Sequence, residues 1–233
     1  MIDEARPEPF WSWKDLLVIG GMGLPLLVGG ALVASFAIAP ITTNKAVRLL
    51  VPQFVGEALM LIPAAMLFRY KYDRGLGKAL HLETRRGQAL PSFAAGLGAA
   101  FAVLGTAAAL RMPEMDNPMQ QLMNEPNAAV WVGMFAVSVG PLFEEIFFRG
   151  LLQPVAVRTA GAVGGVLIAA VPFALLHGSQ YAWSWRHVLL ITMAGAAFGW
   201  WRVRTQSTGA ATLMHAAYNG VLVVGFLIGR SAL

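Results

Sequence analysis

Pro141-Leu-Phe-Glu-Glu-Ile-Phe-Phe-Arg-Gly150 decides how the chain has to fold. Two adjacent carboxylates, Glu144 and Glu145, and the guanidinium of Arg149 stand in a segment that is otherwise apolar from Ala128 onward. An ionised side chain in hydrocarbon costs on the order of 2.5–3.5 kcal/mol even on lenient insertion scales. Such residues persist there only with partners or a task. On a helix Glu145 and Arg149 are i, i+4 neighbours and can pair, while Glu144 lies about 100° round the axis. That division makes one carboxylate structural and leaves the other free to act. The plainer alternative is an ion-paired helix contact, the usual state of buried charge.

The rest of the composition agrees with a membrane setting. Of 233 residues, 57% are hydrophobic and only 12% charged, where a soluble globular chain carries roughly 25% charged residues. Cysteine is absent, which removes disulfides, thiolate metal sites and a thiol nucleophile. The net charge of +5 is not a nucleic-acid signal, because the basic residues sit at the ends of apolar runs. There they set topology and meet anionic headgroups. No cleavable signal peptide is expected, since the start is acidic and aromatic and Leu16 to Asn44 is too long for an h-region.

Working outward, the pattern predicts an all-α polytopic transmembrane bundle of about seven helices in one domain, residues 1–233. Phe10, Trp11 and Trp13 suit the headgroup boundary. Leu16–Ala39 and Leu49–Phe68 read as the first two spans, each long enough to cross. Arg69 to Gln88 is a basic loop expected to face the cytoplasm, and Ala89–Leu110 is a third span. Arg111 to Asn127, with Glu114, Asp116 and Glu125, reads as an outside loop. The fourth helix is expected to run from Ala128 through the carboxylates as far as Val157. Gly161–His177, Val188–Trp201 and Gly209–Ile228 complete the set. Trp183, Trp185, Trp200 and Trp201 are expected as interfacial anchors, with the N-terminus inside and the C-terminus outside. The small-residue pairs Gly161/Gly165, Gly195/Gly199 and Gly225/Gly229 are expected to bring helices close.

Three further polar side chains lie in apolar surroundings: His177, His215 and Asn219. A lone buried histidine is more often a satisfied core residue than a catalyst, but spacing changes that weighting. With a turn near Thr159–Gly161, Glu144 lies about as many residues before the turn as His177 lies after it. Equal distance from a hairpin turn means equal depth. Such depth requires either that the hairpin protrudes into the cytoplasm or that the fourth span ends near Arg149. Pro172 frees a backbone carbonyl near His177. His215 and Asn219 are i, i+4 on one face. An asparagine inside an apolar helix needs a partner, and its bland role is interhelical glue. Every aspartate (Asp3, Asp15, Asp73, Asp116) lies outside the apolar spans, so an intramembrane aspartyl dyad is excluded. No H-E-x-x-H zinc signature occurs, and nothing around Ser179 resembles a serine-protease elbow. His81 and His187 read as solvated loop or boundary residues. Glu57 is open between neutralising a neighbouring charge and lining a water path.

The ordered set E-E-x-x-x-R, F-x-x-x-H and H-x-x-x-N resembles the CPBP family, the Abi or type II CAAX-endopeptidase family of intramembrane proteases, which includes bacteriocin-immunity relatives. The residues are Glu144, Glu145 and Arg149, then Phe173 and His177, then His215 and Asn219, with Phe198-Gly199 as a weaker element. The likeness covers about the last 110 residues and places a CPBP-like catalytic core at 128–230. Residues 1–127 are then family-variable N-terminal helices and loop.

The resemblance implies peptide-bond hydrolysis in or beside the membrane, on a membrane-associated peptide or protein, prenylated at a CAAX end in some relatives. Glu144 would be the general base, aided by His177, with His215 and Asn219 stabilising the oxyanion. Glu145, Arg149 and Phe173 would support the site. In the family's metalloprotease version His177, His215 and Glu144 hold a divalent ion such as zinc. The lipid bilayer is the other expected partner, with no nucleic acid, and the location a bacterial cell membrane. The rival readings are a membrane proton relay or transporter and a non-catalytic immunity or adaptor protein.

Overall fold

The computed structural model describes residues 9–112, 118–125 and 127–231. Asp3, Glu114 and Asp116 lie outside the described residues. Every regular element among them is helical, as the apolar spans require, since a lone helix satisfies its own backbone in lipid.

Helix α1 (Trp13–Ile38) begins with a capping box between Ser12 and Asp15. Asp15 also accepts from Lys71 at 2.5 Å and Tyr72 at 2.7 Å, tying the start of α1 to the end of α3. Helices α2 (Lys45–Met60) and α3 (Ile62–Tyr72) are separated only at Leu61. The break precedes Pro63, whose ring has no N–H to continue the ladder. This span is longer at both ends than the Leu49–Phe68 expected. Helix α1 packs along α2 where a methyl on Gly56 would come within 2.6 Å of the Leu27 carbonyl.

After the short α4 (Leu76–Ala79), α5 (Ala89–Ala109) packs against the last helix, and the short α6 (Pro118–Met123) follows. The site-bearing region comes next. The continuous fourth helix expected from sequence is instead α7 (Ala128–Ala136), a break at Val137–Ser138, α8 (Val139–Glu145) and a widened π-helical turn at Ile146–Leu152. It leads into α9 (Gln153–Leu176), which reverses at Gly161 with φ 71° and ψ 176°. Only glycine enters that conformation without a Cβ clash. The two legs then meet closely, a methyl on Gly165 falling 2.4 Å from the Val157 nitrogen. The turn does not project past its neighbours, because Trp13 at the start of α1 donates its indole N–H to Thr159 Oγ1 at 3.0 Å.

Helices α10 (Trp185–Thr205) and α11 (Thr208–Ser231) close the bundle. Five stretches are long and apolar enough to cross a membrane. One of them, Ala128–Leu176, supplies two legs by reversing at Gly161. With α10, whose apolar run is cut short by Arg186, Arg202 and Arg204, the expected count of about seven is recovered.

One end of the bundle is strapped. Gly209 sits where a methyl would reach 2.1 Å from the Leu82 carbonyl. Thr208 donates its hydroxyl to Leu80 O, Ser207 to Glu83 O, and Gln88 its amide to Thr205 O. The loop at 80–88 thus lies across the α10–α11 turn, and the carbonyl of His81, expected to be merely solvated, accepts the Thr208 N–H. Trp11 differs from expectation too. It is buried, with its indole N–H on the Leu151 carbonyl at 3.0 Å, so it is a core anchor rather than a headgroup residue. Trp183, Trp185 and Trp200 are exposed, but Trp201 donates to Ser92 Oγ. Gly225 and Gly229 have nothing within 4 Å of an added Cβ, so that pair brings no described helix close.

Candidate active site

The site forms where α8, α9, α10 and α11 meet. Glu144 and Glu145 end α8, and the widened turn that follows carries Arg149. π-helical turns of this kind are frequent at functional sites. Glu145 and Arg149 are both fully buried and joined at 2.9 Å. Arg149 also donates to the Gly195 carbonyl at 2.7 Å. Its guanidinium lies 4.6 Å from the Phe173 ring centroid and 5.5 Å from that of Phe198, so aromatic faces cover the charge where no oxygen does.

One turn further on, Gln153 repeats the reach and donates to the Gly199 carbonyl at 2.8 Å. Arg149 and Gln153 therefore read two carbonyls one helical turn apart on α10. The glycines at 195 and 199 leave room for this, since a methyl on Gly199 would lie 2.7 Å from Gln153 Oε1. The expected close approach at this glycine pair is thus made by polar side chains against a helix. Gln153 was not singled out from sequence. Its i+4 spacing from Arg149 was the available signal.

The second shared feature of the site is a convergence on Glu144. His177 caps the end of α9, and its Nδ1 lies 2.9 Å from the Phe173 carbonyl. A carbonyl only accepts, so the ring proton is on Nδ1 and Nε2 presents a lone pair. That Nε2 lies 3.7 Å from Glu144 Oε1. His215 on α11 places Nδ1 2.9 Å from Glu145 Oε1. That oxygen already accepts from Arg149, so the hydrogen of the second bond comes from His215 Nδ1. Its Nε2 lies 3.6 Å from Glu144 Oε2. The rings are fixed by aromatic contacts, His215 stacked on Phe198 at 4.3 Å and His177 tilted against Phe173 at 4.8 Å. The depth of α11 is set by α5, since a methyl on Gly96 would meet the Met214 carbonyl at 2.2 Å.

Glu144, His177 and His215 thus come together, and Glu145, Arg149 and Phe173 lie behind them. Asn219 borders the same cavity, but its amide donates to the Ala136 carbonyl at 2.8 Å. That carbonyl is left open by the break after α7, so Asn219 holds the break in register. Glu57 accepts from Gln53 through Oε1, and its buried Oε2 makes no hydrogen bond to the described residues. His187 stands apart, bonded to Ser184 and stacked on Tyr181. The cavity in front of Glu144 measures about 580 Å³ and is mostly apolar, with Gln53, Gln180 and Tyr218 among its polar margins.

Two neutral imidazoles and a carboxylate are the donor chemistry of a catalytic zinc. As placed, the two Nε2 atoms face different oxygens of Glu144. No group of three or more His, Asp or Glu among the described residues is arranged to hold a metal ion. The side chains as placed therefore do not form the zinc arrangement raised by the sequence.

With this geometry in hand, residues 126–221 match the model of one protein family, described as Type II CAAX prenyl endopeptidase Rce1-like. The Rce1-like region runs from the loop before α7 to the middle of α11, and so contains every member of the Glu144 cluster. It excludes α1 to α6. No curated protein and no solved structure matches the chain. The family consists of membrane proteases, and the apolar helices make this chain an integral membrane protein.

Proposed function

We propose that the protein is an intramembrane endopeptidase in which Glu144 activates a water molecule to hydrolyse a peptide bond of a membrane-associated protein. One observation carries the reading. Three hydrogen-bond acceptors from three helices lie side by side, the Nε2 lone pairs of His177 and His215 standing 3.7 and 3.6 Å from the two oxygens of the Glu144 carboxylate. Acceptors that face each other repel unless a donor lies among them, and the smallest donor with free lone pairs of its own is water. A water donating to Glu144 and to one imidazole keeps its oxygen lone pairs for attack on a carbonyl carbon.

In this mechanism Glu144 takes the water proton as the oxygen adds to the peptide carbonyl, and later returns it to the departing amine. His177 orients the water. His215 is held in place by Glu145, and the negative charge that develops on the carbonyl oxygen needs an N–H donor beside it. Asn219 spends one amide hydrogen on Ala136 and has a second for the same oxyanion. Residues 128–230 would form the catalytic core, with the N-terminus in the cytoplasm of a bacterial cell.

The test is turnover by the purified protein on a library of membrane-anchored peptides. Glu144→Gln is expected to lower cleavage by about 10²–10⁴-fold while the protein stays folded in detergent. A proton relay or an adaptor would cut nothing even with Glu144 intact. Turnover that disappears with chelator and returns with zinc would replace the carboxylate-only route.

A further inference from the structure

We infer that substrate reaches Glu144 from the membrane face opposite the basic end of the bundle, so that the scissile segment belongs to an extracytoplasmic part of a membrane-anchored protein. The inference rests on the hydrolase reading for the word substrate, but its geometry does not depend on it.

The two ends of the bundle differ in charge. Arg69, Lys71, Arg74, Lys78, Arg85 and Arg86 lie in or beside the loop at 73–88. Contacts bring Lys14, Arg158, Arg202 and Arg204 to the same end: Asp15 of α1 pairs with Lys71, Trp13 meets Thr159, and the α10–α11 turn lies under residues 80–88. The opposite end carries five, Lys45, Arg48, Arg111, Arg186 and Arg230, among the described residues, against ten at the first, and Lys45 is paired with Glu125 at 2.5 Å. An excess of Lys and Arg in short connections marks the cytoplasmic side. The basic end is therefore the cytoplasmic one.

The site is closed toward that end. Between Glu144 and the basic surface lie the buried Arg149 and Gln153 rungs, Phe198, Leu151 and Val155, and the Trp11 indole on the Leu151 carbonyl; a cavity of about 220 Å³ at the basic end reaches Gln153 but shares no lining residue with the one at Glu144. The strap at 80–88 covers the α10–α11 turn outside them. The cavity at Glu144 extends the other way. Its walls run from Phe198 and His215 past Glu144 to Leu104 near the end of α5, Met123 before α7, and Phe226 in the last turns of α11. These outer positions lie at the less basic end. A peptide entering by this route need not cross the packed layer, whereas one from the cytoplasm would have to unseat the buried ion pair. A tail on a cytoplasmic protein would have to pass that layer or enter sideways from the lipid, so the open route favours an extracytoplasmic segment.

The absence of cysteine makes the test direct. Single cysteines are placed at Arg85 in the basic loop, at Arg111 beyond α5, and inside the cavity at Ala136. Intact cells and inverted vesicles are treated with a membrane-impermeant quaternary-ammonium thiosulfonate. The expected result is labelling of Arg111→Cys and Ala136→Cys in cells, and of Arg85→Cys only in inverted vesicles. Ile191→Cys gives a second cavity position should Ala136→Cys fail to fold. Labelling of the cavity positions from the cytoplasmic face alone, or from neither face, overturns the proposal, as does labelling of Arg85→Cys in intact cells. None of these readouts uses turnover. An inactive protein that still labels as expected therefore defeats the hydrolase reading and leaves the route standing.

Discussion

Glu144 and Glu145 are neighbours in the chain with opposite surroundings. Glu145 is fully buried, shared between Arg149 and His215, and continues into the Gln153 rung on α10. Glu144 is about a quarter exposed, as is His177, and meets its partners only at 3.6–3.7 Å. A residue step of about 100° on a helix is enough to separate a frame from a working face. The difference teaches that the ionic cost of this segment in lipid is met on one face, which leaves the other carboxylate able to change its proton.

The sharpest way to break this contrast is to remove the cation of the frame. Arg149→Ala leaves Glu145 buried with only a neutral imidazole, and breaking one partner of a buried pair costs about 3–5 kcal/mol. The expected outcome is a large fall in the thermal midpoint in detergent, with turnover lost as a consequence of unfolding. Glu144→Gln, by contrast, should lose turnover at an unchanged midpoint. If both variants kept the wild-type midpoint, the frame would have no structural meaning.

A second prediction sharpens the contact between frame and α10. Gly199→Ala puts a methyl 2.7 Å from Gln153 Oε1, and overpacking of this kind costs about 1–3 kcal/mol. Gly225→Ala, with nothing within 4 Å, should lie within about 0.5 kcal/mol of the parent. The two measured side by side, again by thermal unfolding, separate glycines that make room for a polar rung from glycines that do not.

That pair of glycines also shows where sequence reading reached its limit. Gly195/Gly199 and Gly225/Gly229 have the same spacing, and spacing alone cannot say what faces them. The turn at Gly161 was legible because glycine and equal arm lengths coincide there. The pairing of Glu145 with Arg149 was legible from i, i+4. The bridge from His215 to Glu145 was not, because it depends on the depth of α11, set by Gly96 against Met214 among many equivalent small residues in α5. The break at Val137–Ser138 was half legible: Pro141 has no N–H for the Val137 carbonyl, but the Ala136 carbonyl is satisfied by Asn219, 83 positions away, which no local pattern marks. The burial of Trp11 likewise depends on a partner in the distant 146–152 turn.

Trp11 carries the smallest of the effects. Trp11→Phe keeps an aromatic ring between Phe10 and Phe68, whose centroids lie 5.0 and 5.1 Å away. It removes the one N–H that reaches the Leu151 carbonyl in the widened turn, two residues after Arg149. A neutral hydrogen bond of this kind contributes about 0.5–1.5 kcal/mol net, so a modest drop in thermal midpoint is expected with turnover near the parent value. The bond lies on the frame side of the segment, away from Glu144, and stability and turnover should therefore separate in the direction opposite to Glu144→Gln. A Trp11→Phe variant that lost turnover without losing stability would mean that the N-terminal segment sets the geometry of Glu144 through the turn, and the two faces of this helix would then be one unit.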